Sequence, residues 1–319
     1  MGLTNKNAQD EAKRVFDFLW ENRGRKIILG QHTQTMEQAE LAFIREVTGE
    51  LPALCGFELL AYSPNIRCEE SGEACLKEVY EAGHTLKKAW EWAKMGGLIT
   101  FTWHWFSPLY GRDKSFYTEN TDFNAELAVT PGTPEYYAFL SDMDYMAGLL
   151  RPFCDAHVPV LWRPFHENEG AWFWWGNCKK DVVRKLYGLM YDRYVNHFKL
   201  NNLIWVFNST NPECYPGDDV ADIISRDLYP EAHCHTDHAK ELGELAAITK
   251  AEKPYAIAEI GTIPDVEAVI GNRIPWSYYM TWSNEFGRTE QYTSKEELKK
   301  AYSFENAVTL SRLPKFYCV

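Results

Sequence analysis

The sequence predicts a single-domain α/β protein, a closed (β/α)8 TIM barrel spanning residues 1–319, and three observations predict it. Strand-like apolar runs alternate with helical patterns eight times along the chain. That order implies parallel strands, and eight repeats suit a closed barrel better than an open doubly wound sheet. No Gly-x-Gly-x-x-Gly follows the first strand, which removes the simplest argument for a dinucleotide-binding fold. Each apolar run also ends in polar or aromatic residues: His32, Glu58, Trp103-His104, His166-Glu167, Asn208, Asp227 with Tyr229, Glu259, and Trp282 with Asn284. In a barrel such ends converge on one face around one pocket.

Taken in order, a polar N-terminal stretch leads into a helix and then the first strand at 26–32. A helix at 34–48 stops at Gly49, and the second strand covers 53–60. A helix at 75–95, whose mixed Glu and Lys residues read as a solvated face, stops at Gly96-Gly97 before a third strand at 98–105. Residues 111–133, rich in Asn, Asp, Thr, Gly and Pro, lack periodicity and read as a long loop suited to shaping a cleft. A helix at 134–157 precedes the fourth strand at 159–167, and one at 181–200 precedes the fifth at 203–209. The sixth strand at 223–229, a helix at 237–250 ended by Pro254, and strands at 255–261 and 277–284 complete the count. Internal repeats and domain linkers are not evident.

The net charge of −12 disfavours nucleic acid or anionic lipid as a partner and leaves a neutral substrate unopposed. No apolar run is long enough to span a bilayer, and residues 1–7 lack the apolar core of a signal peptide. Eight cysteines in a chain this long form no compact disulfide framework, which together with the polar start favours a cytoplasmic, reducing compartment. Secretion with a signal already removed is the alternative. His233-Cys234-His235-Thr236-Asp237-His238 offers imidazole and thiolate, but without standard zinc spacing, so neither a metal nor another cofactor is expected.

The chemistry concentrates in Leu161-Trp162-Arg163-Pro164-Phe165-His166-Glu167-Asn168-Glu169-Gly170-Ala171-Trp172-Phe173-Trp174-Trp175-Gly176. A carboxylic acid beside flat indoles suits a sugar-processing site: the acid handles the proton of a glycosidic oxygen, and aromatic rings cover the apolar faces of pyranoses. A second carboxylate, Glu259, stands near the end of strand seven in Ala256-Ile257-Ala258-Glu259-Ile260-Gly261. Opposite sides of a small barrel mouth can bring two such groups to about 5–5.5 Å, the separation of retaining glycosidases. The competing interpretation for either glutamate alone is a structural ion pair at the rim. Trp174 and Trp175 read equally well as packing residues, and Glu169 as a rim carboxylate or a rival acid.

The block Trp162-Arg163-Pro164-Phe165-His166-Glu167 with Gly170-Ala171-Trp172-Phe173-Trp174-Trp175-Gly176 resembles the signature of glycoside hydrolase family 26, chiefly β-mannanases. Gly30-Gln31-His32, Thr102-Trp103-His104, Tyr215-Pro216-Gly217-Asp218-Asp219, Asp227-Leu228-Tyr229 and Glu259-Ile260-Gly261 resemble its other strand-end segments. The resemblance implies a retaining mechanism with Glu167 as acid/base and Glu259 as nucleophile. It implies that His166 hydrogen-bonds around the reacting sugar and that Tyr229 orients the nucleophile. Trp172 and His104 would line subsites beside the cleavage point, Trp282 would floor the −1 sugar, and Trp103 joins them as a substrate-binding candidate.

Two departures stand out. Asn168 and Glu169 sit where many relatives have an amide or small residue beside the glycine, and Thr281-Trp282-Ser283-Asn284 lacks the arginine that some mannanases place after the tryptophan. The expected function is endo-β-1,4-mannanase action on mannan, glucomannan or galactomannan. Alternatives are the same machinery on mixed-linkage β-glucan or β-1,3-xylan, an exo-acting mannobiohydrolase, a non-catalytic carbohydrate-binding barrel, and a metal-dependent barrel hydrolase.

Overall fold

The computed structural model describes residues 2–33 and 36–319. Eight parallel strands close into a barrel: β1 Ile27–Thr33, β2 Leu54–Glu58, β3 Leu98–Thr102, β4 Val160–Arg163, β5 Leu203–Asn208, β6 Ile223–Leu228, β7 Tyr255–Ile260 and β8 Trp276–Thr281. Each pairs with the next, and β8 returns to β1 with Ile28 opposite Tyr278. A two-residue strand, β9 Ala307–Val308, adds in parallel to β1. Strands β1 to β5, β7 and β8 are buried along their whole length, as expected of parallel strands covered by helices outside and filled by side chains inside.

The predicted strands are placed correctly but several run too far. β3 ends at Thr102 and β4 at Arg163, short of the predicted Trp105 and Glu167. Pro164 has no N–H to give a ladder, and Phe165 and Glu167 both have φ of +51°, in the left-handed region that extended strands exclude. The motif is therefore a turn set on top of a strand. The predicted helix at 75–95 is two helices, Glu73–Ala82 and Thr85–Lys94, broken at Gly83 and His84. The predicted helix at 181–200 is Lys180–Tyr191 followed by a π-helical turn, Asp192–His197. The helix expected at 34–48 is Ala39–Thr48, its first two predicted residues lying outside the described ones, and that expected at 237–250 is shortened to Ala239–Ala246.

The 111–133 segment is a tethered loop carrying a 3-10 turn, Thr118–Asn120, and a short α-helix, Ala125–Ala128. On one side Gly111 O accepts from Arg67 N at 2.9 Å, and Lys114 Nζ meets Glu78 Oε1 at 2.5 Å. On the other, Tyr117 bridges Phe173, and Thr118 N donates to Trp172 O at 2.8 Å. It thus straps the β2 loop to the loop that carries Trp172. Among the described residues no helix is long and apolar enough to cross a membrane, and all eight cysteines are free thiols.

Candidate active site

A cavity of about 390 Å³ opens at the C-terminal end of the barrel, lined by residues that include Glu58, His104, His166, Glu167, Tyr229, Glu259 and Trp282. One carboxylate oxygen from each of Glu167, Asp227 and Glu259 lies within 4.8 Å of the others. The sheet itself aims the nucleophile candidate. β7 slips register against β6 between Arg226 and Asp227, leaving Asp227 opposite Glu259, and slips against β8 between Ile257 and Ile260. Such irregularities beside sites re-aim a side chain that a regular ladder would fix elsewhere.

Glu259 is 3% exposed and doubly held. Arg163, itself fully buried, donates through Nη2 to Glu259 Oε1 and through Nη1 to Asp227 Oδ2 at 3.0 Å, and the Tyr229 hydroxyl donates to Glu259 Oε2 at 2.6 Å. Burial opposes the Arg163 charge, but the two carboxylates overcome it and hold the guanidinium firmly protonated. Burial, then the Glu259 charge, pushes the Asp227 carboxyl well above its ordinary range despite Arg163.

Glu167 meets different surroundings. Burial first and the Glu259 charge second raise its pKa to about 7, while the Trp172 indole N–H, 2.9 Å from Oε2, pulls the other way. The two carboxyls therefore sit close together in unlike environments, one with a cation and a phenol, the other facing an indole at the rim. Trp172 is 45% exposed, and its ring lies over Gly170, where a Cβ would come within 2.0 Å of it.

The histidines form a chain along the cavity wall. Glu58, fully buried, accepts from His104 Nδ1 at 2.7 Å and from the His104 backbone N–H at 2.8 Å. His104 Nε2 then lies 3.1 Å from His166 Nε2. Burial disfavours charge on His104, but Glu58, with help from Glu259 and Glu167, raises its pKa overall. His166 is driven the other way, by burial and then by His104 and Arg163, and stays neutral. The arrangement fits His104 donating through Nε2 to a neutral His166.

Trp282 floors the cavity and stacks on His32 with ring centroids 4.0 Å apart. Tyr229, half exposed, walls it. Trp103 is a correction to the sequence expectation: it is 2% exposed, stacked on Trp105 at 4.0 Å, and donates to Ser63 Oγ. Its faces are covered by protein, so it packs behind the wall and offers no surface to a ligand. Trp174 and Trp175 are buried and donate to the Trp105 and His166 carbonyls. Sequence reasoning gave no role to Arg163, Asp227 or Glu58. The signal was present for Arg163, a cation in an otherwise apolar strand, which burial tolerates only with anionic partners.

Among the described residues, only Glu167, Asp227 and Glu259 bring three metal-ligand groups together. The trio is a poor cage for a divalent cation, because Arg163 already places its charge on Asp227 and Glu259. In the His233–His238 stretch, His235 Nδ1 lies 2.8 Å from the Ile263 carbonyl, while His233 and Cys234 are exposed.

Compared with known families, residues 4–312 match the model of glycosyl hydrolase family 26. The chain belongs to that family. It is 35% identical over 98% of its length to a mannan endo-1,4-beta-mannosidase of Thermothelomyces thermophilus, covering 63% of that protein. It is 32% identical over 98% of its length to mannan endo-1,4-beta-mannosidase A of Piromyces sp, covering 51% of it. The chain thus spans between half and two-thirds of these family 26 relatives. Among solved structures, a beta-mannanase from a symbiotic protist of the termite Reticulitermes speratus, complexed with gluco-manno-oligosaccharide, superposes with a TM-score of 0.88 at 30% identity, covering 98% of this chain and 97% of that one.

Proposed function

We propose that this chain is a retaining endo-β-1,4-mannanase that acts on mannan, glucomannan or galactomannan by double displacement. The observation that carries the mechanism is the close pairing of Glu167 and Glu259, with carboxylate oxygens within 4.8 Å, in opposed electrostatic settings. Inverting enzymes hold their carboxyl groups roughly 6.5–9.5 Å apart to admit a water between them, and the close approach of one oxygen from each glutamate supports the shorter, retaining arrangement. The substrate class rests on the family 26 relatives, several named as mannan endo-1,4-beta-mannosidases.

In the first step a Glu259 oxygen bonds to the anomeric carbon as the glycosidic C–O bond breaks, and the departing oxygen takes the Glu167 proton. In the second, ionised Glu167 takes a proton from water, the water oxygen bonds to the anomeric carbon, and Glu259 is released. Arg163 and Tyr229 both donate to the attacking carboxylate, and the Glu259 charge favours the proton on Glu167.

The test is product release from mannan, glucomannan, mixed-linkage β-glucan and β-1,3-xylan, with Glu259→Ala as control and product chain length followed over time. Early mixtures of mannooligosaccharides support the proposal. Mannobiose alone points to exo action, activity confined to glucan or xylan moves the substrate, and binding without Glu259-dependent turnover overturns it.

A further inference from the structure

The turn that carries Glu167 is strained, and two asparagine side chains hold it. Phe165 and Glu167, neither of them glycine, both have φ of +51°. Such a backbone is disfavoured for any residue with a Cβ and persists only where surroundings impose it. The Glu167 N–H donates to Asn208 Oδ1 at 2.8 Å. The turn is closed from within by Asn168, whose Nδ2 lies 2.7 Å from Phe165 O and 3.4 Å from the Asn208 carbonyl. Asn208 is 1% exposed at the end of β5, and its own amide N–H groups are committed: Nδ2 donates to Asp227 Oδ1 at 2.9 Å and to Ser225 Oγ at 3.1 Å. Asp227 pairs with Arg163, which pairs with Glu259. A continuous path therefore runs behind the cavity from the backbone of one carboxylate-bearing residue to the side chain of the other.

We propose that Asn208 is a positioning residue for the acid/base carboxyl, fixing the left-handed backbone of Glu167 and locking that turn to the Asp227–Arg163 pair behind Glu259. The inference rests on the retaining mechanism proposed above. No other asparagine rotamer serves both ends: the Glu167 N–H can only donate, so the oxygen must face it, and the amide nitrogen is left to face Asp227. Losing the side chain frees the turn to relax toward an unstrained backbone, and the Glu167 carboxyl moves with it. A misplacement of about 1 Å at a reacting group costs on the order of 100-fold.

The experiment compares kcat/KM for two mannobiosides, one with an activated dinitrophenyl leaving group and one with an ordinary alkyl or sugar leaving group. kcat/KM reports the first step, in which only the second substrate needs the Glu167 proton. Asn208→Ala is expected to lower kcat/KM on the unactivated substrate by about 10- to 100-fold while changing it less than about threefold on the activated one. Equal losses on both, or no loss on either, overturn the proposal.

Asn208→Asp is the second variant. It keeps the acceptor toward Glu167 N–H and sets a new carboxyl against Asp227, in the field of Arg163, Glu259 and Glu167. The new pair needs a shared proton to hold together, so kcat/KM on the unactivated substrate, relative to wild type at each pH, is expected near wild type at pH 5 and near Asn208→Ala at pH 8. A ratio that does not change with pH overturns the proposal even if Asn208→Ala fails to fold. Glu167→Ala separates the two levels of inference. If it does not discriminate the substrates, the acid/base assignment fails; if it does and the Asn208 variants do not, only the positioning role fails.

Discussion

The indole N–H of Trp172 lies 2.9 Å from Glu167 Oε2, so an exposed aromatic ring at the rim is hydrogen-bonded to the carboxyl with the raised pKa. The same residue provides a flat face to a sugar and favours the charged form of its neighbour. These two roles separate by substitution. Trp172→Phe keeps most of the face and loses the donor, so the Glu167 pKa rises from about 7 and the alkaline limb of kcat/KM moves up by about 0.5–1 unit. Trp172→Ala loses both and raises KM as well. pH–rate profiles of the two variants check this, and an alkaline limb unmoved in Trp172→Phe counts against the hydrogen bond.

Glu167 trades stability for its proton. Its pKa in the folded state is about 7, above the ordinary 4.5, because burial and Glu259 disfavour its charge. The folded protein therefore holds that proton more tightly than the unfolded chain does, and stability from this group is full below pH 4.5 and falls as pH rises toward 7. Glu167→Gln, neutral at every pH, is expected to stabilise the fold at pH 8 by on the order of 1–3 kcal/mol and to leave it nearly unchanged at pH 4, while abolishing turnover of polysaccharide. Urea unfolding at the two pH values measures the difference.

Tyr229 donates its hydroxyl to Glu259 Oε2 at 2.6 Å from a ring that is half exposed. Tyr229→Phe removes that hydrogen bond and little packing. The expected result is a fall in kcat of about 10- to 100-fold, with KM changing much less and the unfolding midpoint nearly unmoved. A change confined to KM would assign the hydroxyl to sugar binding instead.

Arg163 is the opposite case, a residue whose loss is felt first in the fold. It is the cation for two buried carboxylates, Asp227 and Glu259. Arg163→Met leaves them facing one another without it and is expected to destabilise by about 3–5 kcal/mol at pH 7. Asp227→Asn in the same chain should recover part of the loss. If the double variant is as unstable as the single one, the cost lies in packing and not in unpaired charge.

Chelation gives a simpler check. Treatment with EDTA is expected to leave turnover unchanged, because Arg163 supplies the positive charge that a metal would bring to the carboxylate trio. Loss of activity with EDTA and its return with a divalent cation would restore the metal-dependent reading.

The barrel was legible in the sequence because its signals are local: eight apolar runs, helical periodicity between them, and Gly or Pro at the ends. The strand-end polar residues were legible for the same reason, since topology alone sends them to one face. Local signals did not place the strand ends after β3 and β4. Apolar residues continue through Trp105 and Phe165, while the backbone has already left the ladder. Nor did they separate Trp103 from Trp172, two tryptophans beside polar neighbours. Trp103 is covered by Trp105 and Ser63, whereas Trp172 stands in solvent over Gly170.

The sequence by itself determined the element order and the two glutamates at the ends of strands four and seven, because spacing and hydrophobic pattern are properties of the chain. Only the tertiary structure decided which groups surround each glutamate: Arg163, Asp227 and Tyr229 around Glu259, and Trp172 and Asn208 around Glu167. These partners come from three different strands and their following loops, and their effect depends on distance and burial. A pKa is set by what lies within a few ångströms in a medium of low polarity, and that is fixed only when the barrel closes.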